Sequence, residues 1–144
     1  MANTDKEHNS TVRVLLVDQD HEQSYVTGML LVAMGYQVQV CNSGSDCINV
    51  TETFSPHVIL LDIDMPAVDG FQVCGHIRKQ MWGKQVRIIA LTGRSDNQIG
   101  KFTPAGGFDG HLNKLAGYQD LSDRIAEYLR NNCAAGYLPN NTGK

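Results

Sequence analysis

A doubly wound α/β domain, with a five-stranded parallel sheet and helices on both faces, is the fold this sequence predicts, on three observations. Short apolar runs rich in Val, Ile and Leu alternate with longer segments of helical periodicity. The run Val58-Ile59-Leu60-Leu61 is apolar on both faces, as a strand covered by helices above and below requires. The segments between the runs are long enough for the helical crossovers that parallel neighbours need.

Residues 12–17 (Val-Arg-Val-Leu-Leu-Val) are the first strand, which stops at Asp18. Asp20 can cap the next helix, expected to run to about residue 34, with Tyr25, Val26, Met29, Leu30 and Ala33 at core spacing and Gly35 closing it. Residues 36–41 alternate and read as a strand with one less apolar face, at the sheet edge. Asn42-Ser43-Gly44 is a turn, residues 45–54 a short helix carrying Cys47, Ile48 and Val50, and Ser55-Pro56-His57 leads into the central strand. An acid, Asp62, ends that strand, and Met65-Pro66 turns the chain away because proline fixes φ and donates no hydrogen bond.

Beyond a turn at Asp69-Gly70, residues 71–81 are helical with Phe71, Cys74, Ile77 and Met81 inward. Residues 86–91 form the fourth strand, ending at Thr92-Gly93, and a weak helix follows from Ser95, broken by Gly100 and Pro104. Residues 110–113 are a brief last strand leading to Lys114, and residues 118–130 the final helix, with Leu121, Ile125 and Leu129 on one face. The domain therefore spans 12–130, between a polar extension at 1–11 and a tail at 131–144 too short and polar for a further domain and expected to be largely disordered.

A chain of 144 residues suits one such domain, with a core large enough to need no staples. A net charge of -3, from 12 basic and 15 acidic residues, gives no electrostatic reason for nucleic-acid binding or attachment to an anionic membrane. Cys41, Cys47, Cys74 and Cys133 contain no Cys-x-x-Cys pair and read as reduced thiols. No apolar run approaches the ~20 residues needed to span a bilayer and no signal-peptide core opens the chain, so a cytoplasmic location is expected.

If the strand order is the flavodoxin-like 2-1-3-4-5, the first and third strands are neighbours at the switch point, and Asp18 and Asp62 converge there with Thr92 and Lys114 nearby. Clustered carboxylates resist ionising together, and a hard cation such as Mg²⁺ relieves that repulsion. A phosphoryl donor held beside it could then be attacked by Asp62, giving an acyl phosphate. Lys114 would supply a point charge and Thr92 a hydroxyl to the phosphoryl oxygens.

At these residues the chain resembles the response-regulator receiver domains of two-component signalling. The likeness rests on Val-Leu-Leu-Val-Asp-Gln-Asp at 14–20, Leu-Leu-Asp-Ile-Asp-Met-Pro at 60–66, Asp69-Gly70, Ile-Ala-Leu-Thr-Gly at 89–93 and Gly-Phe-Asp-Gly-His-Leu-Asn-Lys at 107–114, in order and at family spacing. The resemblance implies phosphorylation of Asp62 by a sensor histidine kinase or a histidine phosphotransfer protein. It further implies Mg²⁺ held by Asp18, Asp62 and the Asp64 main-chain carbonyl, with Lys114 bonded to the phosphoryl group. Thr92 would move toward the phosphate, coupled in the family to an aromatic residue whose place His111 takes, and so remodel a face that binds a downstream protein target. Such a domain is a phosphoacceptor with at most slow autodephosphorylation, not an enzyme. With no DNA-binding or enzymatic output domain after residue 130, the expectation is a stand-alone receiver or one cut from a larger hybrid kinase.

Three departures from the family pattern stand out, one of them Pro104 in the fourth-helix region, which is expected to alter the output surface. Gln19 replaces the second of two adjacent acids, and its neutral amide predicts weaker metal binding rather than none. Leu115 replaces the proline that usually follows the lysine, commonly through a cis bond; a non-proline cis bond costs ~2.5–4 kcal/mol, which favours a trans peptide and a differently aimed Lys114. The plainer reading of Asp20 is a helix cap, of Asp64 a solvated loop side chain and of His111 a packed histidine. Two other functions compete: Asp62-Ile63-Asp64 also resembles the Asp-x-Asp of haloacid-dehalogenase phosphatases, and Gln19 with Leu115 fit a receiver-like module that binds partners without phosphorylation.

Overall fold

The computed structural model describes residues 12–64, 70–93, 107–114 and 118–131, with residues 118 and 129–131 by backbone alone. The expected extension at 1–11, the Met65-Pro66 exit, the Asp69 half of its turn, the helix from Ser95 with Pro104, Leu115, and the tail from 132 lie outside these residues.

Five strands, β1 (Arg13–Val17), β2 (Gln37–Cys41), β3 (Val58–Asp62), β4 (Arg87–Thr92) and β5 (Gly110–Asn113), form one parallel sheet in the order β2-β1-β3-β4-β5. Four α-helices are described: α1 (His21–Ala33), α2 (Gly44–Phe54), α3 (Gly70–Lys79) and α4 (Tyr118–Asn131), with a 3₁₀ turn at Met81–Gly83. Strand alternation sends side chains to two cores. Leu15, Val17, Ile59 and Leu61 pack with Cys47 of α2 and Val73, Cys74 and Ile77 of α3, whereas Val14, Leu16, Val58 and Leu60 pack with Leu31 of α1 and Ile125 of α4. All four apolar residues of β3 are fully buried, each worth about 2 kcal/mol relative to exposure, so the central strand is the most firmly held part of the frame.

The helix caps follow the sequence. Asp20 accepts a hydrogen bond from the Gln23 N–H at the start of α1, and Ser43 does the same for Asp46 at the start of α2. Ser55 closes α2 in the left-handed region at φ 53°, and its carbonyl takes the Arg13 guanidinium. His57 is fixed against β1 in both directions: its N–H donates to the Arg13 carbonyl, and its Nδ1 accepts the Arg13 N–H at 3.0 Å.

Two expected faces are corrected. On α1, Tyr25, Val26, Met29 and Ala33 point to solvent and Leu30 is half-buried; Ser24, Gly28 and Leu31 face the sheet instead. Apolar residues surround this helix, so periodicity could not choose its buried side. Close approach did: a Cβ on Gly28 would lie 3.3 Å from Val40 Cγ2, and Ser24 is buried with its hydroxyl bonded to the His21 carbonyl. Met81 also points outward, because α3 ends at Lys79 and extended Gln80 (ψ 148°) leads into the 3₁₀ turn, which carries the side chain away from the core.

Candidate functional site

The β1–β3 register pairs Val17 with Leu61, which brings Asp18 and Asp62 together at the carboxyl edge of the sheet where the crossovers diverge. Both are buried, at 2% and 1% exposure. Asp18 is held by main-chain bonds on each side. Its N–H donates to the Cys41 carbonyl, and its Oδ1 accepts the Asp20 N–H at 3.0 Å. Asn42 donates to the Asp18 carbonyl at 2.6 Å and to Ser24 Oγ, tying the two loops together. Asn42 had read only as a turn residue; its amide, directly after the edge strand, was the available signal for this brace.

Asp62 closes β3, and its Oδ1 accepts the Asp64 N–H at 2.8 Å. Lys114 leaves β5 with its N–H on the Thr92 carbonyl, and its ammonium lies 3.1 Å from Asp62 Oδ2 and 3.6 Å from Asp18 Oδ1. One cation thus serves two carboxylates. Burial raises the Asp18 pKa, and the Asp62 charge raises it further, against the opposing Asp20 N–H and Lys114. Burial depresses the Lys114 ammonium, but Asp62 and Asp18 outweigh it and leave that pKa raised.

Thr92 is fully buried at the end of β4, and its hydroxyl donates to Asp64 Oδ2 at 3.1 Å. The Gly93 N–H adds a longer bond to the same oxygen. The Asp64 side chain is therefore engaged with the β4 end, a contact that a reading of it as a solvated acid missed. Gln19 is exposed on the loop after β1. His111 lies on β5 with its N–H donated to the Tyr128 hydroxyl and its carbonyl accepting from Arg124, so α4 grips its backbone. Gly70 explains how α3 comes so near the site: a Cβ there would fall 2.6 Å from Ile63 Cα and 2.9 Å from the Asp62 carbonyl.

Thiol chemistry has no foothold here. Burial pushes Cys41, Cys47 and Cys74 up to about 11, 12 and 11, so these free cysteines remain protonated core residues.

The family model described as response regulator receiver domain matches residues 14–126. The chain belongs to that family. Among curated relatives, it is 31% identical over 117 residues to the transcriptional regulatory protein AfsQ1 of Streptomyces coelicolor, covering 81% of this chain and 51% of that protein. A probable histidine kinase 1 of Oryza sativa subsp. indica is 23% identical over 154 residues, 84% of this chain and 16% of the kinase. This receiver thus spans about half the length of the regulator and a small part of the kinase. Among solved structures, a CheY-like receiver domain protein from Methanospirillum hungatei superposes with a TM-score of 0.79 at 24% identity, covering 88% of this chain and 99% of that one. TrrA of Thermotoga maritima, solved in complex with Mg²⁺ and BeF, gives a TM-score of 0.72 at 24% identity over 81% of this chain and 97% of that one. These structures share the fold. Membership of the receiver family also displaces the haloacid-dehalogenase alternative, which would need the acid pair after the first strand rather than the third.

Proposed function

We propose that this receiver accepts a phosphoryl group on Asp62 from a phosphohistidine of a kinase or phosphotransfer protein, and that the acyl phosphate switches a protein-binding face. The observation that carries the reading is the shared ammonium: Lys114 lies between carboxylates brought from two strands, 3.1 Å from Asp62 and 3.6 Å from Asp18. A carboxylate oxygen of Asp62 forms the new P–O bond, the P–N bond to the donor breaks, and its electron pair returns to the imidazole. Lys114 would follow the charge onto the phosphoryl oxygens, since it already meets the acceptor carboxylate. Thr92 would exchange its bond to Asp64 for one to the phosphate, drawing the β4 end inward.

The donor set suits Mg²⁺. Among the described residues two buried carboxylates share the Lys114 ammonium, and burial, then the neighbouring Asp62, raises the Asp18 pKa, a charge load that a cation would relieve. Mg²⁺ keeps several waters and takes one or two carboxylates, which Asp18 and Asp62 would supply. Asp18, Asp62 and the Asp64 carbonyl would hold it, with Gln19 offering a neutral oxygen and hence a weaker site. Bound there, the ion would neutralise charge on the phosphoryl group in transfer. We place the protein in the cytoplasm, where its donor acts; no described helix is long and apolar enough to cross a membrane.

Phosphotransfer from labelled histidine kinases to wild type and to Asp62→Asn, with Mg²⁺ or with EDTA, tests this. Label on wild type alone, lost in EDTA, is the expected result. Label that persists on Asp62→Asn contradicts the acceptor assignment, and no label from any kinase or from acetyl phosphate favours the phosphorylation-independent module.

A further inference from the structure

The exposed side of α1 and the edge strand β2 together form an apolar surface. Tyr25, Met29 and Val32 follow i, i+4, i+7 spacing on α1 and are 67%, 51% and 57% exposed, with Val26 at 52% and Val40 of β2 at 40%. With Gly28 and Val38, Tyr25, Met29, Val32 and Val40 line an apolar groove of about 310 Å³ between helix and strand. Among the described residues, β2 pairs with β1 on one side and no strand pairs with its other edge. Edge strands are commonly protected by charge, yet no Asp, Glu, Lys, Arg or His occurs anywhere from residue 23 to residue 45.

That neutrality selects the occupant. A two-fold contact sets a patch against its own copy, so any net charge in the patch repels itself, while a charged partner finds nothing here to pair with. Side chains on the order of 150–200 Å², exposed to these fractions, present roughly 450 Å² of apolar surface, the size of the largest patch on a typical monomer, which is often functional. Two such patches facing each other remove about 900 Å², at the low end for protein contacts and in keeping with a weak, concentration-dependent dimer. We propose that two copies of this chain associate through the α1–β2 face, with Met29 and Val32 at the centre of the contact, independently of phosphorylation.

Sedimentation velocity of the full chain from about 1 to about 200 µM, a range that brackets a micromolar Kd, tests this directly. Wild type and Asp62→Asn should dimerise alike, so the result stands apart from the acceptor assignment. Val32→Lys and Met29→Lys place like charges against each other and should weaken the dimer at least about 30-fold while unfolding as wild type does. Met81→Lys, at a site 86% exposed elsewhere, should change nothing. A monomeric wild type across the range overturns the proposal and leaves the face to a different partner. A dimer that tolerates both α1 substitutions overturns it equally.

Discussion

Replacing Lys114 by methionine removes the positive charge in contact with Asp18 and Asp62 and keeps a stem of similar length. At the observed 3.1 and 3.6 Å, each attraction amounts to about 5 kcal/mol gross for an effective dielectric of ~20. The net loss is smaller, because desolvation of the lysine is relieved and because the fold has an escape: one carboxylate takes up a proton. That escape sets the ceiling. Protonating a carboxyl of ordinary pKa near 3.9 costs about 4 kcal/mol at pH 7 but only about 1.5 kcal/mol at pH 5. The lysine stays charged throughout this range, its pKa being raised, so only the carboxylates titrate. The Asp18 pKa, already raised by burial, loses the opposing pull of Lys114 in the variant, and stability is lost as pH rises. Urea unfolding followed by circular dichroism should therefore show Lys114→Met less stable than wild type by about 2–4 kcal/mol at pH 7, and by no more than about 1.5 kcal/mol at pH 5. Millimolar Mg²⁺ should narrow the gap at pH 7. A deficit below about 0.5 kcal/mol at pH 7, or one independent of pH, would return Lys114 to an ordinary surface lysine.

Other perturbations separate structural from chemical roles. Asp64→Ala removes the acceptor for Thr92 and Gly93 and should cost about 1–2 kcal/mol while leaving phosphoryl acceptance at Asp62 intact; lost label would make the Asp64 carboxylate part of the acceptor chemistry. Gly70→Ala forces α3 off the β3 end and should cost about 3 kcal/mol or more, whereas Gly75→Ala, with open space around it within the same helix, should stabilise by about 0.5–1 kcal/mol, both read from unfolding midpoints. His57 is driven down to about 4 by burial and then by Arg13, so the unfolded chain binds the extra proton between pH 4 and the usual 6.5. Stability should fall as pH drops through that window, by up to about 3 kcal/mol, and His57→Gln should flatten the slope; an unchanged slope would place the acid sensitivity elsewhere.

Much of this architecture is legible in the chain because it rests on periodicity and on acids that interrupt it. Val58 to Leu61 could only be a strand covered twice, and the two runs ending in Asp18 and Asp62 had to be neighbours once the order was 2-1-3-4-5. Periodicity fails where apolar residues surround a helix, as on α1, since the buried side is then chosen by how closely Gly28 and Ser24 let the backbone approach β2. It fails again at Met81, where the end of α3 depends on backbone geometry at Gln80. Long-range polar contacts are the least legible. Nothing local shows that Asn42 braces Asp18 or that the Asp64 carboxylate reaches Thr92, because each bond joins segments that meet only through the sheet.

The proposed role of Asp62 is that of a phosphoryl acceptor assisted by Lys114 and Thr92. Amide NMR during titration with Mg²⁺ and beryllofluoride measures it most directly. Saturable shifts are expected at Asp62, Thr92, Gly93 and Lys114, abolished by Asp62→Asn and weakened by lowering Mg²⁺. A wild-type spectrum unmoved at millimolar Mg²⁺, or shifts that survive in Asp62→Asn, would contradict it.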